Sequence, residues 1–466
     1  MVSVVHRTSR SLWASGRARG STFGIVATIA LLLVVAIQPA AATAGTEQWV
    51  ARLPGPSATA LNHVAGLTVS PEGSRVFVTG DLYDSSIGSR LRTAAYDAST
   101  GTQLWSNDGP DAESQAAGVR VSPDGAKVFV LCSSYGRHNG SVSRDYLTIA
   151  YDAATGAPIW KKRYRPGDTA GAIGMSPDGS TVFITGASSD GVWTDYATVA
   201  YKASNGHRLW TARYGRPAED AARTLTVSPD GSRVFVSGFS VSTGTSRDIV
   251  TIGYNAATGH ELWRTRYDGS VHREDQANAM TVSPDGSQVF VTGYSDRSKR
   301  LRNFVTLAYG AKTGKQRWVR GYQGPGGFNN NAKAIVVSPA GSRVFVAGYR
   351  SGYVGRDFET LAYSFAGKRL WRRAYNGPAN DFDQATAIGV SPAGGRVYVT
   401  GFRDDVTNRD YATLAYRASS GGTLWHAFYD QDKDGASALA VKPDGSAVYV
   451  SGMSGADITT VSYSTR

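Results

Sequence analysis

Along the chain, apolar residues two apart alternate with polar ones in short runs, and no run carries the three-to-four spacing of an amphipathic helix. Leu225 and Val227 close one such run. A Pro-Asp-Gly turn follows, "RVFVSG" (Arg233 to Gly238) alternates as a second run, "DIVTIGY" is a third, and "NAATGHELW" turns through Asn255 to Gly259 into a fourth that carries Trp263. The pattern predicts four short antiparallel strands joined by tight turns.

This unit recurs. "VSPEGSRVFVTG" (Val69 to Gly80) returns in eight versions, with prolines at 71, 123, 177, 229, 284, 339, 392 and 443, a step of 51 to 55 residues. Each version is followed by a threonine three residues before a tyrosine, from Thr93 and Tyr96 to Thr460 and Tyr463. Four strands repeated at this period are the signature of a β-propeller blade, so the fold class expected is all-β, an eight-bladed propeller. Trp105, Trp160, Trp210, Trp263, Trp318, Trp371 and Trp425 follow units one to seven, and unit eight ends without one at Arg466. The tryptophan in a matching setting is Trp49, in "TEQWVARL". The N-terminus is therefore expected to supply the outermost strand of the last blade, which pairs edges that would otherwise lie open.

Composition adds a compartment. Arg7, Arg10, Arg17 and Arg19 precede the apolar run Ile25 to Ile37 and then "ATA" (Ala42 to Ala44), the order of a secretory signal. Residues 1–44 are read as that signal and residues 45–466 as one propeller domain. An uncleaved anchor is the alternative, but the apolar run is short for a bilayer span. The reading expects a secreted or cell-surface protein with no transmembrane span in the mature chain. Cys132 is the sole cysteine, so no internal disulfide can form. Loss of the signal arginines takes the formal charge from +12 to +8, a modest basic excess that suits anionic surroundings and does not specify nucleic acid.

"AYDASTGTQLW" (Ala95 to Trp105) and "AYDAATGAPIW" (Ala150 to Trp160) resemble the tryptophan-docking motif A-x-D-x-x-T-G-x-x-x-W of the quinoprotein alcohol dehydrogenase-like (PQQ-like) eight-bladed propellers. Units three and four match in part, with Lys202 and Asn255 at the Asp position, and "SFAGKRLW" in unit six is one residue short. The resemblance implies the fold. For the family's enzymes it also implies a channel site with calcium ligands, a catalytic Asp and often adjacent cysteines over the cofactor. Adjacent cysteines cannot occur here, so the resemblance is one of fold, no cofactor is expected, and pyrroloquinoline quinone in particular is not.

Function is sought where the repeat breaks its own symmetry. A polar column opens each innermost strand (Asn62, Ser114, Asp168, Asp220, Asp275, Asn330, Asp383 and Asp434), and its carboxylates are expected to cap their own loops. A second column, Asp145 to Asp457, opens the third strands. Arginines precede five of its members, suggesting charges that neutralise one another on one face. "DQDKDG" places Asp430, Asp432 and Asp434 at calcium-loop spacing, but Ala438 and Val441 stand where later ligands belong; calcium is the one ion for which the sequence offers a candidate. Histidines have no metal-ligand spacing and no nucleophile motif is present.

The loops joining second to third strands vary most. Blades five to seven contribute Tyr294, Arg297, Lys299, Arg300, Tyr349, Arg350, Tyr353, Phe402 and Arg403, a basic and aromatic crescent suited to gripping sugars or anionic polymers by stacking and charge-assisted hydrogen bonds. A solvated rim is the plainer reading. The function expected is a monomeric binding or scaffold propeller, without catalysis, that contacts an extracellular protein or an anionic cell-surface glycan. The alternative is a quinone- or metal-dependent oxidoreductase, or a lactonase-like hydrolase, with its site at the channel mouth.

Overall fold

The four runs of each repeat pair in chain order into one antiparallel sheet. In the fourth blade these are Asp220–Val227, Arg233–Val241, Arg247–Asn255 and Glu261–Tyr267, from innermost to outermost. The structure, a computed structural model, describes residues 43–56, 62–84, 88–111, 113–138, 141–189, 191–242, 246–298, 301–324, 328–405 and 408–466. Among them every regular element is a strand, and no helix is long and apolar enough to cross a membrane. Eight such sheets form a ring: each innermost strand packs beside those of its two neighbours, and that of the eighth blade (Asp434–Val441) packs beside that of the first (His63–Val69).

The repeated phrases have local causes. In the first turn of blade four, Ser228 Oγ accepts the Arg233 N–H at 2.9 Å and Asp230 accepts the Ser232 N–H at 3.0 Å, while Gly231 takes φ +69°, which a side chain would oppose. The threonine column sits in the middle of the sheet. Thr93 meets Thr79 hydroxyl to hydroxyl at 3.0 Å, Thr251 meets Ser237 at 2.9 Å, and Thr460 meets Ser451 at 3.1 Å, all buried. In blades two and six the residues opposite are Leu131 and Ala347, and the hydroxyls of Thr148 and Thr360 have no partner among the described residues.

Seven of the eight docking tryptophans bond their blade to the next through the indole N–H, and Trp425 Nε1 has no hydrogen-bond partner among the described residues. Trp105 Nε1 donates to the Ala153 carbonyl at 3.1 Å, and Trp263 Nε1 donates to that of Ala311 at 2.9 Å. In the short unit six, Phe365 supplies the carbonyl for Trp318 and packs its ring on Phe290. Trp49 obeys the same rule and donates to Ala98 at 3.1 Å. Its strand, Glu47–Leu53, is the outermost of the eighth blade and pairs with Asp457–Ser464, so one sheet contains both ends of the propeller. Closing this edge removes the exposed backbone that an open propeller would present.

Candidate anion-binding channel mouth

Every innermost strand carries one extra residue at the same place, where its register with the second strand slips. The residues inserted are Ala65, Ala117, Gly171, Arg223, Asn278, Lys333, Thr386 and Ser437. A β-bulge re-aims its extra side chain. Here the bulges turn inward: all of these except Arg223 line one cavity of about 520 Å³. The column is the central channel, and it breaks the repeat more sharply than any loop, small in blades one to three and polar or basic in the other five.

Lys333 places a cation in this channel, and two more charges act on it, those of Arg223 in the same bulge column and of Arg356, which opens the third strand of blade six (Arg356–Ser364). Burial, followed by the charges of Arg356, Arg223 and Arg302, lowers the pKa of Lys333 below the ordinary lysine value. Among the described residues Arg223, Lys333 and Arg356 make no ion pair; the Arg356 guanidinium donates only to the neutral Gln384 amide, at 3.2 Å. Like charges that no ion-paired carboxylate neutralises favour an anion from outside.

Aromatic rings hold the surrounding guanidinium groups in place. In blades four to seven the residue after the second-strand glycine is Phe239, Tyr294, Tyr349 or Phe402, and the arginine that opens the third strand lies over it. The distances are 4.4 Å for Arg247, 4.2 Å for Arg302, 4.3 Å for Arg356 and 4.0 Å for Arg409. Three of these arginines are also paired with acids: Arg247 with Glu219 at 2.9 Å, Arg302 with Glu274 at 2.7 Å and Arg409 with Asp404 at 2.7 Å. Arg356 stands apart in lacking one among the described residues.

A second cavity of about 690 Å³ adjoins the first between blades seven, eight and one, sharing His63, Gln384, Thr386 and Ser437 with it. It mixes signs, with Arg409 and Lys433 facing Asp381, Asp404 and Asp434. The polar column beside it acts within its own loops. Asp220 accepts the Arg216 N–H at 2.8 Å, Asp275 that of Gly269 at 2.6 Å and Asp434 that of Gln431 at 2.9 Å. Burial pushes these carboxyls up, Asp275 to about 7 and Asp383 to about 6.

Residues 88–346 and 307–464 match the sequence model of the family described as outer membrane protein assembly factor BamB. The chain belongs to this family. No curated protein matches it. Among solved structures this BamB-family propeller is similar to Chaetomium thermophilum Sqt1 bound to the N-terminus of the ribosomal protein L10, at 13% identity over 90% of this chain and 100% of that one, with a TM-score of 0.61. Saccharomyces cerevisiae Sqt1 gives 8% identity, 91% and 100% coverage and a TM-score of 0.60. BamB from Moraxella catarrhalis gives 14%, 90% and 97%, and 0.47. At these identities the likeness is one of fold.

The structure rearranges the crescent expected on this propeller's loops. Lys299 and Arg300 lie outside the described residues. Arg297 is exposed and donates to Gln323. Arg350 and Arg403 are not rim residues: Arg350 is ion-paired with Asp357 and lies 3.5 Å from the fully buried Glu359, while Arg403 is paired with Asp410 at 2.9 Å and lies over Phe428 at 3.6 Å. Buried acids inside the sheet draw these side chains inward. Tyr294, Tyr349 and Phe402 serve as beds for arginines rather than open stacking platforms. Tyr353 is 89% exposed, with Phe328 edge-on to it.

Two further expectations change. The arginines that precede the third-strand acids do not share a face with them, because neighbours in a strand point to opposite sides. Asp145, Asp248 and Asp410 pair instead with Arg165, Arg266 and Arg403. The calcium-loop spacing does not gather its acids either: Asp434 turns to its own loop, accepting also from the Asp432 N–H at 3.4 Å, while Asp430 lies with Asp405 and Asp410. Sequence reasoning missed Arg223 and Lys333. The signal was present four residues before each Val-Ser-Pro valine, a column whose chemistry changes from blade to blade.

Proposed function

We propose that this chain is an exported binding propeller whose channel mouth holds an acidic or phosphate-bearing cell-surface glycan. The observation that carries the reading is the set Arg223, Lys333 and Arg356, cations whose charges act on Lys333 and none of which has an ion-paired carboxylate among the described residues. Asn278, Gln384, Thr386 and Ser437 add neutral hydrogen-bonding groups around the same cavity. The small residues of blades one to three leave room on the opposite wall. Export is supported by the order of residues 1–44. The fold also accommodates protein segments, as in the Sqt1 complex.

The test is direct binding of an acidic polysaccharide, a phosphate-bearing glycan and polyglutamate to the mature protein. The Arg223→Ala/Lys333→Ala double variant should bind the glycans at least about tenfold more weakly, since hydrogen bonds to charged groups contribute roughly 1.5–3 kcal/mol each. Lys161→Ala/Lys162→Ala removes the same charge from an exposed outer strand and should change little. Equal losses from both pairs would reduce the effect to nonspecific electrostatics. Preference for polyglutamate would replace the glycan with an acidic protein.

A further inference from the structure

Three carboxylates meet at the junction of the fourth and fifth blades. Asp248 lies in the third strand of blade four (Arg247–Asn255), Asp268 follows its outermost strand (Glu261–Tyr267), and Asp275 opens the innermost strand of blade five (Asp275–Val282). One oxygen from each lies within 4.8 Å of the other two. Asp248 and Asp275 are fully buried, and the Asp268 side chain is 25% exposed.

The protein answers only part of this charge. Arg266 Nε donates to Asp248 Oδ2 at 2.6 Å, His272 Nδ1 meets Asp268 Oδ2 at 2.6 Å, the Gly269 N–H takes Asp275 Oδ2, and the Ser295 side chain also bonds the Asp275 carboxyl. A Cβ at Gly269 would come within 2.9 Å of Asp275 Oδ1, so glycine is what admits this approach. Oδ1 of Asp275 and Oδ1 of Asp268 are buried without a hydrogen-bond partner among the described residues. A buried carboxylate oxygen left in this way costs free energy that a ligand would recover.

We infer that the Asp248, Asp268 and Asp275 carboxylates bind a divalent cation, with calcium as the ion of choice, that staples blade four to blade five. The donors are all carboxylate oxygens, which selects a hard cation. Three carboxylates set against the Arg266 guanidinium and the His272 ring leave an excess of acidic groups, which favours a cation. Oxygens within 4.8 Å of one another can share a centre about 2.3–2.6 Å from each, the calcium range, and calcium tolerates the irregular geometry of a protein-built site better than magnesium, which demands a near-ideal octahedron.

The repeat itself supplies a contrast. The seventh and eighth blades carry acids at all three equivalent positions, Asp410, Asp430 and Asp434, yet there Asp434 turns to its loop, Arg403 holds Asp410, and Asn408 donates to the exposed Asp430 at 3.1 Å. None of the residues at the blade four–five site belongs to the cationic channel set, so the inference stands independently of the proposed glycan site.

The experiment is equilibrium dialysis of calcium against the chelator-stripped mature protein, with a parallel thermal melt. Binding with a dissociation constant of about 10⁻⁵–10⁻³ M and a calcium-dependent rise in Tm are expected, with magnesium weaker. Asp275→Asn should remove the bound ion or weaken it by about tenfold or more. Because Asp275 is buried, Asp268→Asn, in the loop, is the second variant and should do the same in a protein that still melts cooperatively. Asp430→Asn should retain the ion. No calcium binding, binding unchanged in Asp268→Asn, or binding lost only in Asp430→Asn would overturn the assignment.

Discussion

Gly45 lies against the indole of Trp425, so close that a Cβ there would sit 3.1 Å from the ring. In every other blade junction this place belongs to the turn between third and fourth strands, as Gly101 does beside Trp49 and Gly421 beside Trp371. The turn of the eighth blade is therefore built from two chain ends, with Gly45 N–H donating to Ser464 at 2.7 Å and Ser464 N–H to Thr46 at 2.8 Å. Deleting Glu47–Leu53 should lower Tm sharply and expose an edge that promotes association. Trp49→Ala should cost about 3–5 kcal/mol, the range for emptying a buried aromatic site. Chemical denaturation and light scattering check both, and a deletion variant as stable and monomeric as the parent would refute the closure argument.

The repeat revealed the ring, its closure at Trp49 and the polar loops, because these features recur and recurrence is readable in one dimension. Side-chain direction was less legible. Arg350 and Arg403 looked like rim cations in the variable loops, and only the fold shows them reaching Asp357 and Asp410 inside the sheet. Tyr349 looked like a stacking platform because nothing in the sequence places Arg356 across its face. The channel column was legible in principle, but it aligns on bulges, and a bulge leaves no mark in an alternating pattern until the strands are paired.

The threonine column offers a paired test of hydrogen-bond energetics. Thr460 and Thr360 are equally buried, but Thr460 donates to Ser451 at 3.1 Å, whereas Thr360 faces Ala347 and has no hydrogen-bond partner among the described residues. Thr460→Val should destabilise by about 1–2 kcal/mol, because it also strands the Ser451 hydroxyl. Thr360→Val should be neutral or stabilise by up to about 1 kcal/mol, because it removes a buried group that is already unpaired. Urea denaturation of both variants decides the matter; equal losses would show that the valine shape, not the hydroxyl, dominates.

Asp383 sets a pH dependence of stability. Burial, reinforced by Asp357 and Asp404, lifts its carboxyl from the ordinary 3.8 to about 6, against the pull of the Gly377 and Asp404 N–H groups. The folded state thus binds the proton more tightly than the unfolded state. Its contribution is fully present below pH 3.8, falls as pH rises towards 6, and is constant above that. Relative to Asp383→Asn, which does not titrate, the parent should lose about 2–3 kcal/mol over this window. Denaturation of both proteins at pH 4, 5, 6 and 7 measures the difference, and a parent that gains stability over the same range would show the opposite shift. Chelator in every sample separates this effect from cation binding.

The arginine beds give the last prediction, on how the channel mouth presents its charge. Arg356 lies 4.3 Å over Tyr349, and Lys333 approaches the same ring at 5.8 Å, so Tyr349 organises two of the three cations assigned to anion binding. Tyr349→Ala should weaken glycan binding by about three- to tenfold, in keeping with the roughly 0.5–1 kcal/mol or more that a cation–π contact contributes. A ring that supports Arg356 acts only through it. In an Arg356→Ala background the tyrosine substitution should then cost much less, leaving the double variant close to Arg356→Ala alone. Arg356→Lys should recover only part of the affinity, because an ammonium keeps the charge but not the planar fork laid flat on the ring. Additive losses in the double variant would mean that Tyr349 touches the glycan itself, and full recovery by lysine would mean that charge alone matters at this position.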